Sequence, residues 1–244
     1  MSTSALMAGI RGVVLDIEGT TTSISFVHDE LFSYARTHVR DYLALVFPRE
    51  DVQLLREEHS QNVSAGKQPP PLAEPGSAQE IDSLVAYINW LMDRDSKAPG
   101  LKSLQGKMWH KGYADGILRS HVFPDVEPAF ARWRDAGLSI NIFSSGSVLA
   151  QQLLFRHTEA GDLTRVINNY FDTSIGKKGE AESYRRIAES IGARPEELLF
   201  VSDVVAELAA AREAGMKTVL SIRPGNEPQE SADQYPRIHS FDEL

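Results

Sequence analysis

Two carboxylates one residue apart, Asp16 and Glu18, follow directly on the apolar run Gly-Val-Val-Leu at residues 12–15 and precede Gly19 and three threonines, Thr20, Thr21 and Thr22. A short apolar run bounded by turn residues reads as a buried strand. In open α/β sheets, ligands collect outside the carboxyl ends of the strands. Residues i and i+2 of a strand face the same side, so the spacing predicts two acids side by side at the mouth of a sheet. Like charges so placed repel, and a shared hard cation such as Mg²⁺ is the partner that would hold them together. Asp16 alone has a plainer reading, a turn or helix cap. Glu18 and Thr20 behind a buried strand favour chemistry.

Three further segments carry compatible groups. Ser144 and Ser145 end an apolar run at residues 138–143, where small hydroxyls and free backbone N–H groups can cradle a phosphate. Lys177 and Lys178 follow Gly176 just ahead of a predicted helix, and Asp203 with Glu207 closes the run at 198–201. Each has an ordinary counterpart: strand-to-helix turn residues, solvated lysines, a helix cap. Ser147 reads as an N-cap, and Glu207 as a supporting partner rather than a direct ligand. Together, carboxylates for a cation, a lysine for negative charge and hydroxyls for orientation suffice for phosphoryl transfer, which is mostly positioning and charge stabilisation. The seven histidines show no metal-ligand spacing, and the absence of cysteine excludes disulfides, thiolate nucleophiles and cysteine-held metals.

The elements that must position these groups fall into two kinds. Residues 28–47 show helical periodicity, residues 67–77 form a proline-rich loop, and helical periodicity returns over 81–92 and 101–118. No strand is predicted between residues 27 and 121. Beyond Phe123-Pro124 strands and helices alternate: helices over 125–136, 148–155, 179–191 and 204–214, strands over 138–143, 198–201 and 218–222. Gly137, Gly192 and Gly215 stand at helix ends. The expectation is an α/β core, residues 1–26 and 122–244, interrupted after its first strand by an all-helical insertion, residues 27–121, placed to act as a lid. The 244 residues are 42% hydrophobic with net charge −9, enough for a sizeable core and unsuited to nucleic acid or an anionic membrane. The first ten residues do not read as a secretion signal, and no apolar run reaches the ~18 residues of a membrane span. A cytoplasmic protein is expected.

The ordered set Asp16/Glu18, Ser144/Ser145, Lys178 and Asp203 resembles the haloacid dehalogenase superfamily of aspartate-nucleophile phosphatases. Asp-Ile-Glu-Gly-Thr-Thr-Thr with Ile24-Ser25-Phe26-Val27 is similar to the opening of the enolase-phosphatases (acireductone synthases) of methionine salvage. So are Leu104-Gln105-Gly106-Lys107-Met108-Trp109, Ser144-Ser145-Gly146-Ser147-Val148, Phe171-Asp172-Thr173, Glu182-Ser183-Tyr184-Arg185, residues 199–203 and Arg223-Pro224-Gly225-Asn226. Glu18 stands where the superfamily normally has Asp, and agrees with the enolase-phosphatases. Ser202 stands where that family often has Thr.

The resemblance implies a Rossmann-like parallel sheet flanked by helices, with a helical cap after the first core strand. It implies Asp16 as nucleophile, Glu18 as a proton-handling group, and Asp16, Glu18 and Asp203 as ligands of one Mg²⁺. Ser144, Ser145 and Lys178 would hold phosphate or substrate oxygens, Lys178 rather than Lys177 being selected. The implied substrate is 2,3-diketo-5-methylthiopentyl-1-phosphate, enolised and then dephosphorylated by a monomer. Phe26, Met108 and Trp109 are expected to wall its methylthio tail. Another capped phosphatase acting on a sugar-like phosphate would share the metal site but not Glu18 or Gln105-Gly106. A phospho-receiver domain would be shorter and lack a lid, and a catalytically dead binding module would have lost a reactive group.

Overall fold

The computed structural model describes residues 6–244; the first five residues of the expected core lie outside them. The described residues form two compact units, residues 6–27 with 119–244, and residues 28–118. Relative to the expected division, Val27 and residues 119–121 belong with the sheet. Ser120 donates its N–H to His157 O, and the His121 carbonyl accepts Thr22 Oγ1 at 2.7 Å.

In the first unit six parallel strands are ordered β3-β2-β1-β4-β5-β6. The first strand, β1 (Gly12–Leu15), is wholly buried because it lies in the middle of the sheet, which explains its unbroken apolar run. β2 (Ser139–Phe143) and β3 (Asn169–Phe171) extend the sheet on one side. β4 (Leu198–Ser202), β5 (Lys217–Ser221) and β6 (Arg237–Ile238) extend it on the other. The order therefore reverses at β1, the switch point outside which such sheets bind ligands. Buried Asn141 pins this region. Its Nδ2 donates to Val13 O at 3.0 Å while its Oδ1 accepts Asn169 Nδ2 at 2.8 Å, tying three adjacent strands in register.

The second unit is helical. The chain enters it through a π-helical stretch, Phe26–Phe32, followed by α1 (Ser33–Val46), α2 (Arg49–Ser64), α3 (Glu80–Met92) and α4 (Pro99–Ala114). It has its own core around Leu43, Leu55, Leu84, Tyr87, Leu104 and Met108. Helix α2 falls in a stretch that carries no apolar periodicity. It buries only Asp51, Val52 and Leu55, and Asp51 is held by Ser103 Oγ at 2.7 Å and Lys107 Nζ at 2.8 Å. A polar anchor thus replaces the apolar stripe that would have announced it.

Four helices complete the first unit: α5 (Val126–Asp135), α6 (Val148–Arg156), α7 (Ala181–Ile191) and α8 (Val205–Glu213). Among the described residues no helix is long and apolar enough to cross a membrane.

Candidate active site

Register brings the chemical groups to one rim. Leu15 lies opposite Ile142 of β2 and Val201 of β4, so Asp16, Ser144 and Ser202-Asp203 emerge at adjacent strand ends. The Asp16 N–H donates to Val201 O at 3.0 Å, which anchors the aspartate to β4. Asp16 is only 5% exposed. Oδ1 accepts the Ile17 N–H at 2.8 Å and Lys178 Nζ at 2.6 Å, whereas Oδ2 has a long 3.5 Å contact from Ser202 Oγ. One oxygen is thus firmly held and the other only loosely.

The chain does not stay extended past Asp16. The N–H groups of Thr20, Thr21 and Thr22 converge on Ile17 O at 3.2, 2.9 and 3.0 Å, and the Gly19 N–H donates to Thr22 O at 2.9 Å. Gly19 takes φ +66°, a left-handed value suited to glycine. Residues 17–22 are thus a closed turn. The same-face alternation expected to align Asp16 with Glu18 does not operate, because β1 ends at Leu15 and Glu18 sits on the turn.

Lys178 leaves the loop ahead of α7 and is nearly as buried as Asp16. Its carbonyl accepts the Tyr184 hydroxyl at 2.7 Å, and its Nζ bridges Asp16 Oδ1 and, at 2.7 Å, Glu207 Oε2. Burial works against its charge, but the two carboxylates outweigh burial and raise its pKa above the usual lysine value. Glu207 also accepts Ser202 Oγ at 2.9 Å, so the residue read as a supporting partner is what orients both Lys178 and Ser202. Lys177 points elsewhere, to Glu180.

Asp203 feels burial first, then Asp16 and Glu207, and its carboxyl is pushed up to about 7. Burial and Asp16 likewise raise Glu207. Asp16, Asp203 and Glu207 around one ammonium make a site rich in acidic oxygens, an environment that favours a hard cation. Among the described residues no three acidic or histidine side chains are grouped to hold a metal, so Asp16, Glu18 and Asp203 do not form a three-side-chain cage. The arrangement fits Mg²⁺, which is commonly held by one or two carboxylates, with water and phosphate filling the remaining positions.

Ser144 is buried at the end of β2, its N–H donating to Phe171 O at 3.1 Å and its Oγ accepting the Gly146 N–H at 3.2 Å. Ser145 is partly exposed beside it, and Ser147 caps α6 through Ala150 N. Met108 is not free to form a substrate wall. Met108 belongs to the helical unit's core, and the Trp109 indole N–H donates to Leu31 O at 2.8 Å. Phe26 packs 6.3 Å from the His121 ring. Residues 223–226, read only as part of a resemblance, and Ser221 of the predicted strand 218–222 hold the turn at 17–22: Ser221 Oγ and Asn226 Nδ2 donate to Gly19 O, and Arg223 Nε to Thr20 O.

A parallel sheet setting a buried aspartate against a buried lysine, with acids and hydroxyls from neighbouring strand ends, defines the class: the chain belongs to the haloacid dehalogenase-like hydrolase family, whose pattern matches residues 10–215. Within it the chain groups with the enolase-phosphatase E1 proteins. It is 51% identical over 243 residues to the one from Synechococcus elongatus, spanning 98% of this chain and 99% of that protein. Against the Sorangium cellulosum protein the identity is 45% over 234 residues, 96% and 97% of the two chains. The crystal structure of the UTR4 protein from Saccharomyces cerevisiae superposes with a TM-score of 0.77 at 34% identity, covering 96% of this chain and all of that one.

Proposed function

We propose that this chain is an enolase-phosphatase. It converts 2,3-diketo-5-methylthiopentyl-1-phosphate to 1,2-dihydroxy-3-keto-5-methylthiopentene and inorganic phosphate, the acireductone-forming step of methionine salvage. The observation that carries the reading is the contact of Asp16 with Lys178 at the switch point of the sheet, in a chain similar along its whole length to enolase-phosphatase E1 proteins.

The carbon bearing the phosphate is acidified by the neighbouring ketone. Glu18 takes its proton and delivers one to that ketone's oxygen, giving the enol phosphate. Asp16 then attacks phosphorus through the oxygen not held by Lys178, forming an aspartyl phosphate as the ester P–O bond breaks. The departing oxygen takes a proton that Glu18 has regained from solvent and completes the enediol. Water hydrolyses the aspartyl phosphate, releasing phosphate and restoring the Asp16 carboxylate. Lys178 holds and aims Asp16, while Ser144, Ser145 and nearby amides orient the phosphate oxygens. Asp16 and Asp203 would hold one Mg²⁺, with Glu18 contributing from the turn, and the cation would supply Lewis-acid neutralisation of the phosphate charge. A single chain working as a monomer in the cytoplasm completes the reading.

The test mixes purified protein, Mg²⁺ and the diketone phosphate. Inorganic phosphate and an ultraviolet band from the conjugated enediol should rise together, and Asp16→Ala should abolish both. Phosphate release from simple esters with no turnover of the diketone phosphate would point instead to another phosphatase of the same fold.

A further inference from the structure

The turn that carries Glu18 is held from outside by one segment. Ser221, the last residue of β5, donates Oγ to Gly19 O at 3.2 Å, and Asn226 Nδ2 donates to the same carbonyl at 2.9 Å and to Ser221 O at 3.3 Å. Arg223 Nε donates to the next carbonyl, Thr20 O, at 3.2 Å. The rest of that guanidinium is fully engaged. Nη1 donates to His239 O at 2.9 Å and Nη2 to Asp125 Oδ2 at 2.7 Å, while the rings of Phe123 and Phe241 lie 4.6 and 4.7 Å from its carbon. Arg223 and Ser221 are almost wholly buried, so these bonds are shielded from competing water. Gly19 also sits tightly against Asp203 and Asn226. A Cβ there would stand 2.4 Å from Asp203 Oδ2 and 2.9 Å from Asn226 Oδ1.

Two consecutive peptide carbonyls are thus fixed by three side chains, directly after Glu18 and three residues after Asp16. Arg223 is in turn fixed by Asp125, just ahead of α5, and by the tail after β6. Nothing in phosphate binding needs this arrangement, since Asp16 is already anchored to β4 and Lys178. What it holds is the position of the turn.

We propose that Ser221, Arg223 and Asn226 are positioning residues that clamp the turn at 17–22 and so aim Glu18, setting the rate of proton transfer rather than the affinity for substrate. The inference rests on the enolase-phosphatase reading. Its consequence is selective. Steps that need a proton moved suffer when the clamp is loosened, and cleavage of an ester with a good leaving group does not.

The test compares wild type with the double variant Ser221→Ala/Asn226→Ala and with Ser221→Ala alone, the milder change should the double variant fold poorly. On the diketone phosphate, kcat should fall about 10- to 100-fold, with KM within about twofold. On p-nitrophenyl phosphate, whose leaving group needs little protonation, the loss should stay within about threefold. Arg132→Ala, which removes bonds to Phe241 O and Asp242 on the tail, is the stability control and should lower the melting temperature with both kcat values retained. Equal losses on the two substrates, a loss confined to KM, or no loss would each overturn the clamp. If wild type cleaves esters but not the diketone phosphate, the substrate reading has failed instead, and an alkyl phosphate replaces it in the same comparison.

Discussion

Nζ of Lys178 lies 2.6 Å from Oδ1 of Asp16, a residue 162 positions earlier, and 2.7 Å from Oε2 of Glu207. This one ammonium is the cation among Asp16, Asp203 and Glu207. Replacing it with an apolar side chain of similar length, Lys178→Met, leaves these buried acids uncompensated. Phosphate release should fall at least about 100-fold, and loss of one partner from a buried pair costs about 3–5 kcal/mol in stability. Release of phosphate from an aryl ester and a denaturant titration check the two effects. A variant retaining wild-type turnover would remove Lys178 from the machinery.

Glu18→Gln keeps the size of the side chain and removes its capacity to accept a proton. With the diketone phosphate, the enol phosphate should fail to appear, while Asp16 and Lys178 keep their contact. Single-turnover spectroscopy follows the enol band directly. Build-up of that intermediate at the wild-type rate would place the enolising base elsewhere.

Gly19→Ala meets two obstacles at one position. The residue has φ +66°, and the new Cβ would stand 2.4 Å from Asp203 Oδ2. Either the turn or Asp203 must shift. A displacement of that kind near a reacting centre costs on the order of 100-fold in kcat, and the strained backbone adds roughly 1 kcal/mol or more. Steady-state kinetics beside a melting curve separate the two losses, and a kcat within a few-fold of wild type would show that the turn has slack.

Asp125 sits in the buried ion pair with Arg223. Burial alone would raise its carboxyl, but Arg223 and the Phe241 N–H outweigh burial and hold it below the usual aspartate range. A depressed folded-state value contributes stability that is present above the unfolded pKa of about 3.9 and is lost as pH falls through the still lower folded value. Asp125→Asn should therefore be less stable than wild type at pH 7, by roughly 2 kcal/mol or more, with the gap narrowing below about pH 4. Denaturant melts of both proteins from pH 3 to 8 measure it. A gap independent of pH would mean the charge on Asp125 carries no stability.

Much of the sheet-bearing unit was legible because its strands are buried on both faces and read as unbroken apolar runs. Its helices α5, α7 and α8 end at Gly137, Gly192 and Gly215, each at positive φ. β3 and β6 escaped because they have three and two residues, too few for any period to show. Helix α2 escaped because it buries only Asp51, Val52 and Leu55, too few apolar positions to show a period, and anchors itself instead through Asp51 to Ser103 and Lys107 of α4. The tail-wall expectation met a core at Met108 for a related reason, since an apolar side chain carries no mark of whether it faces a substrate or its own core.

By itself the order of residues along the chain determined that an acid pair, two serines, a lysine and a further acid each stand at an element boundary, because turn chemistry and strand burial are local. Only the tertiary structure decided that Leu15 pairs with both Ile142 and Val201. From that follow the contact of Lys178 with Asp16 and Glu207, the departure of Glu18 from the strand, and the three donors that reach Gly19 and Thr20 from residues 221–226. These relationships depend on strand order and on which hydrogen bonds survive burial, and both are settled between segments far apart in the chain.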